Sequence, residues 1–295
     1  MSEFGFAAAP HERTLREAIA PEHLGVDTPQ MRWHDTTRKG YETYLGYIAL
    51  HYPMPATLSD VVYYSQLNQA DAMTFGIEHF RRLRPHTMGT LVWQLNDCWP
   101  VQSWAWVDYQ LRPKAAWYAA KKFYAPLLLS LFRDGDAVGV HLVNDDPSQR
   151  DGTIELRVVD LDGTVLFDWS QVAKIEGLGS ERVATIELPA EVLAASTHAL
   201  VHATFADGEA ALLLADPKDL ALTAARITST VDGNEITLST DRLALSVMVW
   251  LDGYDAVFDD NFFHLLPGEP RTISVAPEAD LSPTDIASRL RWRAL

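Results

Sequence analysis

The sequence predicts an α/β layer followed by all-β sandwiches, and three observations carry that expectation. Apolar residues recur at three- and four-residue spacing from about residue 39 to residue 126, a single apolar run interrupts them, and beyond Leu127 the period changes to two. Helix, strand and helix in that order build an α/β layer. Short alternating strands separated by turn signals build antiparallel sandwiches.

Tyr41, Tyr44, Leu45, Ile48 and Tyr52 fall on one helical face, and Pro53 ends that helix. A second helix is expected from near Ser59 and Asp60, which can cap its first turn, through Leu67, Met73, Ile77 and Phe80. Arg81, Arg82 and Arg84 then complement the negative end of its dipole before Pro85. Residues 88–92 have the unbroken apolar character of a strand covered on both faces, and in such parallel sheets ligands sit beyond the carboxyl ends of the strands. That run breaks abruptly into Trp93-Gln94-Leu95-Asn96-Asp97-Cys98-Trp99-Pro100, which would bring polar and aromatic groups together at the strand end. A third helix is expected over residues 114–124, stopped by Pro126.

In the second half, Ile154, Leu156 and Val158 alternate with Glu155 and Arg157, and Asp162-Gly163 supplies a hairpin turn before Val165-Leu166-Phe167. Further strand-like runs cover residues 199–205, 210–214, 236–238 and 245–251, and Asp216-Pro217 offers a break between a first sandwich and a smaller one. The expected division is therefore 1–126, 127–216 and 217–295.

Composition limits the partners. With 24 basic against 40 acidic side chains, the formal charge of -16 repels phosphate backbones and anionic headgroups, so neither nucleic acid nor a membrane surface is expected as a partner. No apolar run reaches the roughly 20 residues that span a bilayer. One cysteine, Cys98, excludes an internal disulfide framework, and a buried structural thiol is the expected role.

Read in order, Ser2-Glu3-Phe4-Gly5-Phe6, Tyr64-Ser65-Gln66-Leu67-Asn68-Gln69-Ala70, residues 89–100 and Phe123-Tyr124-Ala125-Pro126 closely resemble β-mannosidases of glycoside hydrolase family 2. Asp259-Asp260-Asn261-Phe262-Phe263 and Leu266-Pro267-Gly268-Glu269 resemble the final domain of the same enzymes. The resemblance implies the last part of a (β/α)8 barrel followed by two immunoglobulin-like sandwiches, and retaining hydrolysis of terminal non-reducing β-D-mannose. It implies Glu3 as the nucleophile at the end of the seventh barrel strand and Trp93, on the eighth, as part of the wall around the sugar. Asn96, Asp97 and Trp99 match the same motif and are the further candidates for substrate binding.

A retaining glycosidase needs two carboxyl groups about 5–5.5 Å apart, one ionised to attack and one protonated to assist the leaving oxygen. A tryptophan face offers a flat apolar wall to the C–H surface of a sugar, while amides and carboxylates fix its hydroxyls. Trp93 and Trp99 are assigned to the site, and Trp104, Trp106 and Trp117 to packing. The acid/base glutamate of the family lies well before the nucleophile, and only Met1 and Ser2 precede Glu3. The expectation is therefore a C-terminal portion lacking about six barrel strands, inactive alone, with β-mannosides or manno-oligosaccharides as ligands and self-association through the open barrel face.

Asn234-Glu235 reproduces the asparagine-glutamate pair of the absent acid/base motif, but it follows Asp232-Gly233 in a hairpin pattern and is rejected as catalytic. His11, His34, His51, His79 and His86 show no metal-ligand spacing, and no cofactor is implied. Two alternatives stand beside the main reading. One is a carbohydrate-binding or interaction module using Trp169, Trp250 or Trp292; the other is a β-galactosidase or β-glucuronidase of the same family.

Overall fold

The computed structural model describes residues 1–37 and 39–295. By packing it divides into two compact units. The first comprises residues 1–128 with the short segments 142–147 and 177–181; the second comprises the remainder.

The first unit is built on helices: α1 (Glu12–Ala18), α2 (Pro29–Trp33), α3 (Tyr41–His51), α4 (Leu58–Arg82) and α5 (Ala115–Phe123). The spacing of Tyr41, Tyr44 and Ile48 is explained by burial of that face of α3. Thr57, rather than Ser59 or Asp60, caps α4. Its hydroxyl accepts from Asp60 N, and the Asp60 carboxylate accepts from Thr57 N, so Asp60 completes a capping box three residues in. At the other end of α4, Arg81 donates to the carbonyl of Phe123, the last residue of α5, at 2.6 Å and to Asp145 at 3.0 Å. α1 and α2 were not foreseen, being too short to show a period.

Two expectations for this unit are overturned. Residues 88–92 form no regular strand and are not covered on both faces: Met88 is 70% and Leu91 66% exposed, while Val92 packs inward. An apolar run shows that burial would be favourable, but covering both faces takes neighbouring strands, and among the described residues one parallel bridge, Phe4 with Val92, is what pairs here. Among the described residues this unit holds no closed barrel: isolated bridges, Phe4–Val92, Ala8–Ser103, Asp35–Gln102 and Asn96–Val107 among them, join its extended segments, with the helices behind them. Cys98 is exposed, not a buried structural thiol.

The rest of the chain is antiparallel β-structure. β1 (Leu127–Asp134), β2 (Ala137–Asn144) and β5 (Ser180–Glu187) form one sheet, in the order β1-β2-β5. β3 (Arg150–Asp160), β4 (Val165–Ile175), β6 (Ala199–Phe205) and β7 (Gly208–Leu213) form its partner, in the order β4-β3-β6-β7. Ile154, Leu156 and Val158 are buried, as their alternation requires, and lie opposite Phe205, Ala203 and Val201. A short helix, α6 (Ala190–Ala194), leads into β6.

The last sandwich contains β8 (Ile227–Asp232), β9 (Glu235–Thr240), β10 (Ala244–Leu251), β11 (Ala256–Phe258), β12 (Phe263–Leu265), β13 (Arg271–Pro277) and β14 (Leu290–Arg293), with α7 (Pro283–Arg289) before the last strand. Its sheets run β11-β13-β9-β8 and β12-β10-β14. Asn234-Glu235 sits at the β8–β9 turn, as its pattern indicated.

The two late motifs have structural work in this fold. The Asn261 side chain accepts from Val249 N at 2.8 Å and donates to Val249 O at 2.9 Å, standing in for a strand partner. In the second motif, Leu266 joins Val159, Leu200, Leu243 and Leu245 in a buried cluster shared by both sandwiches, and Glu269 pairs with Arg157 of the first. Pro267 lies against Gly163, where an added Cβ would stand 2.5 Å from Pro267 Cγ. Gly163 also has φ +88°, so the hairpin turn and the contact both demand glycine.

Truncating Leu245 removes apolar volume from that shared cluster. Leu245→Ala is expected to cost about 2–5 kcal/mol and to raise amide exchange in β3 and β6 as well as in β10. Exchange confined to the last sandwich would show that the two cores are independent.

Candidate active site

The Glu3 and Trp93 segments meet on the Phe4–Val92 rung. Phe4 N donates to Leu91 O at 3.2 Å, and Trp93 N donates to Phe4 O at 2.9 Å. Side chains alternate across extended backbone, so Phe4 and Val92 share a face, and both pack on the Met73, Ile77, Trp106, Ala116 and Phe123 cluster. Glu3 and Trp93 therefore share the opposite face as diagonal neighbours, a spacing that long side chains bridge. Both are solvent-exposed, Trp93 by 52%. Gly5 completes the geometry: a Cβ there would stand 1.9 Å from Trp93 O, so the Ser-Glu-Phe-Gly segment can approach the Trp93 segment only with glycine at this point. The Trp93–Gln94 peptide bond is cis.

The other candidates separate. Asn96 is exposed and its backbone bridges Val107. Trp99 is half-buried, its ring 5.1 Å from that of His34, whose Nδ1 is 2.5 Å from Pro100 O. Asp97 is buried, with Oδ1 accepting from Gln94 Nε2 at 3.1 Å and Oδ2 from Ser103 Oγ at 2.7 Å. Its carboxylate is turned into the protein and engaged there. Trp106 is buried edge-to-face against Phe123, while Trp104 and Trp117 are partly buried.

Beneath the rung lies a polar layer that sequence reasoning did not single out for its chemistry. The Ser65 to Gln69 stretch of α4 is buried, and its polar side chains hold the backbone that follows Glu3. Ser65 Oγ accepts from Ala9 N at 3.0 Å, and Gln66 Nε2 donates to Ala9 O at 3.2 Å. Gln69 Nε2 donates to Phe6 O at 2.6 Å and lies 3.2 and 3.3 Å from Trp104 O and Ala105 O. Lys114, wholly buried, donates from Nζ to Ala8 O at 3.1 Å. The available signal was the Ser-Gln-Leu-Asn-Gln run itself, four amide or hydroxyl groups in a helix whose other buried positions are mostly apolar.

Burial dominates the charges here. It pushes the Lys114 amine down to about 8, against the opposing pull of Asp97 and Asp108. It raises Asp97, offset in part by Lys114 and by the hydrogen bonds from Ser103 and Gln94. Among the described residues, no group of three or more His, Cys, Asp and Glu side chains is arranged to hold a metal ion.

Residues 136–219 match the Mannosidase Ig/CBM-like domain family, and residues 214–295 match an Ig-fold domain family of mannosidases. Beta-mannosidase A of Aspergillus terreus is 25% identical over 99% of this chain and 37% of its own length. Beta-mannosidase B of Emericella nidulans is 38% identical over 45% of this chain and 16% of its own. The crystal structure of Beta-D-Mannosidase from Dictyoglomus thermophilum superposes with a TM-score of 0.89 at 26% identity, over all of this chain and 37% of that one. The chain matches the C-terminal portion of family 2 β-mannosidases. It spans little more than a third of the length of those relatives that it matches end to end. The β-mannosidase match includes the rung and the polar layer as well as the sandwiches, since the superposition covers the whole chain.

The Lys114 amine makes stability depend on pH. Its folded value of about 8 lies below the ordinary 10.5, so between the two the unfolded chain holds a proton that the folded chain has released. Stability contributed by this group therefore rises as pH increases through that window, by roughly 3 kcal/mol at most. Urea unfolding at intervals across it should show the rise in the wild type and its absence in Lys114→Met.

Proposed function

We propose that this chain supplies the nucleophile and one wall of a retaining exo-β-mannosidase site, acting on terminal non-reducing β-D-mannose. The observation that carries the reading is the parallel Phe4–Val92 rung, which puts Glu3 and Trp93 on one face with helices behind the other. In this reading residues 1–126 are the last strands and helices of a (β/α)8 barrel, with residues 127–216 and 217–295 as its two immunoglobulin-like sandwiches. Glu3 attacks the anomeric carbon, Trp93 carries the apolar face of the sugar, and Asn96 and Trp99 line the neighbouring rim. Asp97 supports that rim from within.

Retention requires a second carboxyl group about 5–5.5 Å from the first to protonate the leaving oxygen. The reading assigns that group to barrel strands other than those of Glu3 and Trp93, so the 295 residues alone should turn over no unactivated β-mannoside. A mannosyl donor with a leaving group that departs without protonation bypasses the missing acid. Incubation with a 2-deoxy-2-fluoro mannosyl donor of that kind should label the tryptic peptide ending at Arg13, and Glu3→Gln should abolish the label. Label elsewhere, or aryl β-mannoside turnover indifferent to Glu3→Gln, overturns the assignment. The exposed row Leu91, Trp93 and Leu95 also leads us to expect concentration-dependent self-association, measurable by light scattering.

The binding-module alternative gains no support from Trp169. It lies opposite Leu156, which is buried, and so points into the first sandwich rather than out as a stacking platform.

A further inference from the structure

We infer that Lys114 is a positioning residue that fixes the Glu3 segment relative to the Trp93 segment, acting through the Ala8 carbonyl on one side and the Ser103–Asp97–Gln94 hydrogen bonds on the other. The inference rests on reading Glu3 and Trp93 as site residues, and it adds a group that touches neither.

The connections are continuous. Ala8, five residues after Glu3, exchanges backbone hydrogen bonds with Ser103: Ala8 N donates to Ser103 O at 2.9 Å, and Ser103 N donates to Ala8 O at 3.2 Å. Ala8 O therefore accepts both from Ser103 and from the Lys114 amine. Ser103 Oγ donates to Asp97 Oδ2, and Asp97 Oδ1 accepts from the side chain of Gln94, the residue that follows Trp93. Lys114 is itself held at the start of α5, its N–H donating to Trp106 O at 2.9 Å. One ammonium thus holds the Ala8 carbonyl, and through Ser103 that carbonyl is joined to the carboxylate that binds the side chain after Trp93.

The placement is costly for packing alone. An apolar side chain of similar length would fill the same space without desolvating a charge. An ammonium adds a donor for Ala8 O and a positive charge that favours the ionised form of buried Asp97. The carboxylates whose charges act on it are Asp97 and Asp108. Asp108 is already committed elsewhere: Oδ1 accepts from Gln110 N and Arg112 N, and Oδ2 accepts from His11 N and Thr14 Oγ1. Of the two carboxylates, Asp97 is the one that links Lys114 to the Trp93 segment. Removal of the proton at high pH should therefore be felt at both ends of the chain of hydrogen bonds.

The test is a ¹⁵N NMR titration of the full chain from about pH 6.5 to about pH 9.5, following the Trp93 indole N–H and the amide of Ala8, whose carbonyl accepts from Lys114 and which is well removed in sequence from the terminal amine. Both should move in one shared step with its midpoint near 8, while the Trp292 indole in the last sandwich stays flat. Lys114→Met should abolish the step at both positions, and Asp97→Asn should shift its midpoint to lower pH by removing the charge that favours the ammonium. A flat wild-type titration at either position, or a step that survives Lys114→Met, overturns the inference. If Lys114→Met does not fold, the wild-type titration and Asp97→Asn decide the matter together. Mannosyl labelling of Glu3 is read independently. Failed labelling with an intact shared step refutes the nucleophile and leaves the linkage standing; labelling with a flat titration refutes only Lys114.

Discussion

Two hydrogen bonds on either side of Phe4 set the relation between the chemically interesting parts of the first unit. They are parallel-strand bonds, so they fix direction as well as register, and register decides which side chains face which way. A slip of one residue would send Glu3 toward the helices and bring Phe4 out. The apolar partners of Phe4 and Val92 oppose that slip, since Met73, Ile77, Trp106 and Phe123 would lose their cover. The orientation of a polar site is thus enforced by hydrophobic contacts on the other side of the same backbone.

The polar layer under the rung adds definition rather than cohesion. Buried amides and hydroxyls return little net free energy when satisfied and exact a large penalty when left unpaired, so they discriminate sharply between one arrangement and its near neighbours. Gln69 addresses the backbone oxygens of Phe6, Trp104 and Ala105, and Gln66 joins Ala9 to the first turn of α5 through Ala115 N. Each joins segments far apart in sequence. An apolar α4 would hold the same segments with less choice of position.

Legibility in the sequence followed the range of the forces involved. The long helices α3, α4 and α5 and the alternating strand β3 were visible because a single amphipathic face declares itself over a few turns or rungs. β2 was not foreseen: every residue in it is buried, so there is no alternation to detect. The run before Trp93 was misjudged in the opposite sense, because composition records what a segment would gain from burial but not whether neighbours are present to bury it. Glu3 and Trp93 could be named from motifs alone, yet their common face is a property of pairing. Lys114 was invisible for a related reason. A lysine at the start of a helix looks like a surface residue until the chain that covers it is known.

The contact between Gly163 and Pro267 has a consequence for how such chains can change. The hairpin of one sandwich and the turn of the other meet with no space for even a methyl group, and Leu266 and Glu269 engage the first sandwich on either side of that point. A recombination event that exchanged only the last sandwich would have to preserve this fit, so the two sandwiches should be inherited as a pair. Length variation should instead accumulate at turns remote from the contact, such as the one around Gly233, where a side chain would meet nothing within 4 Å.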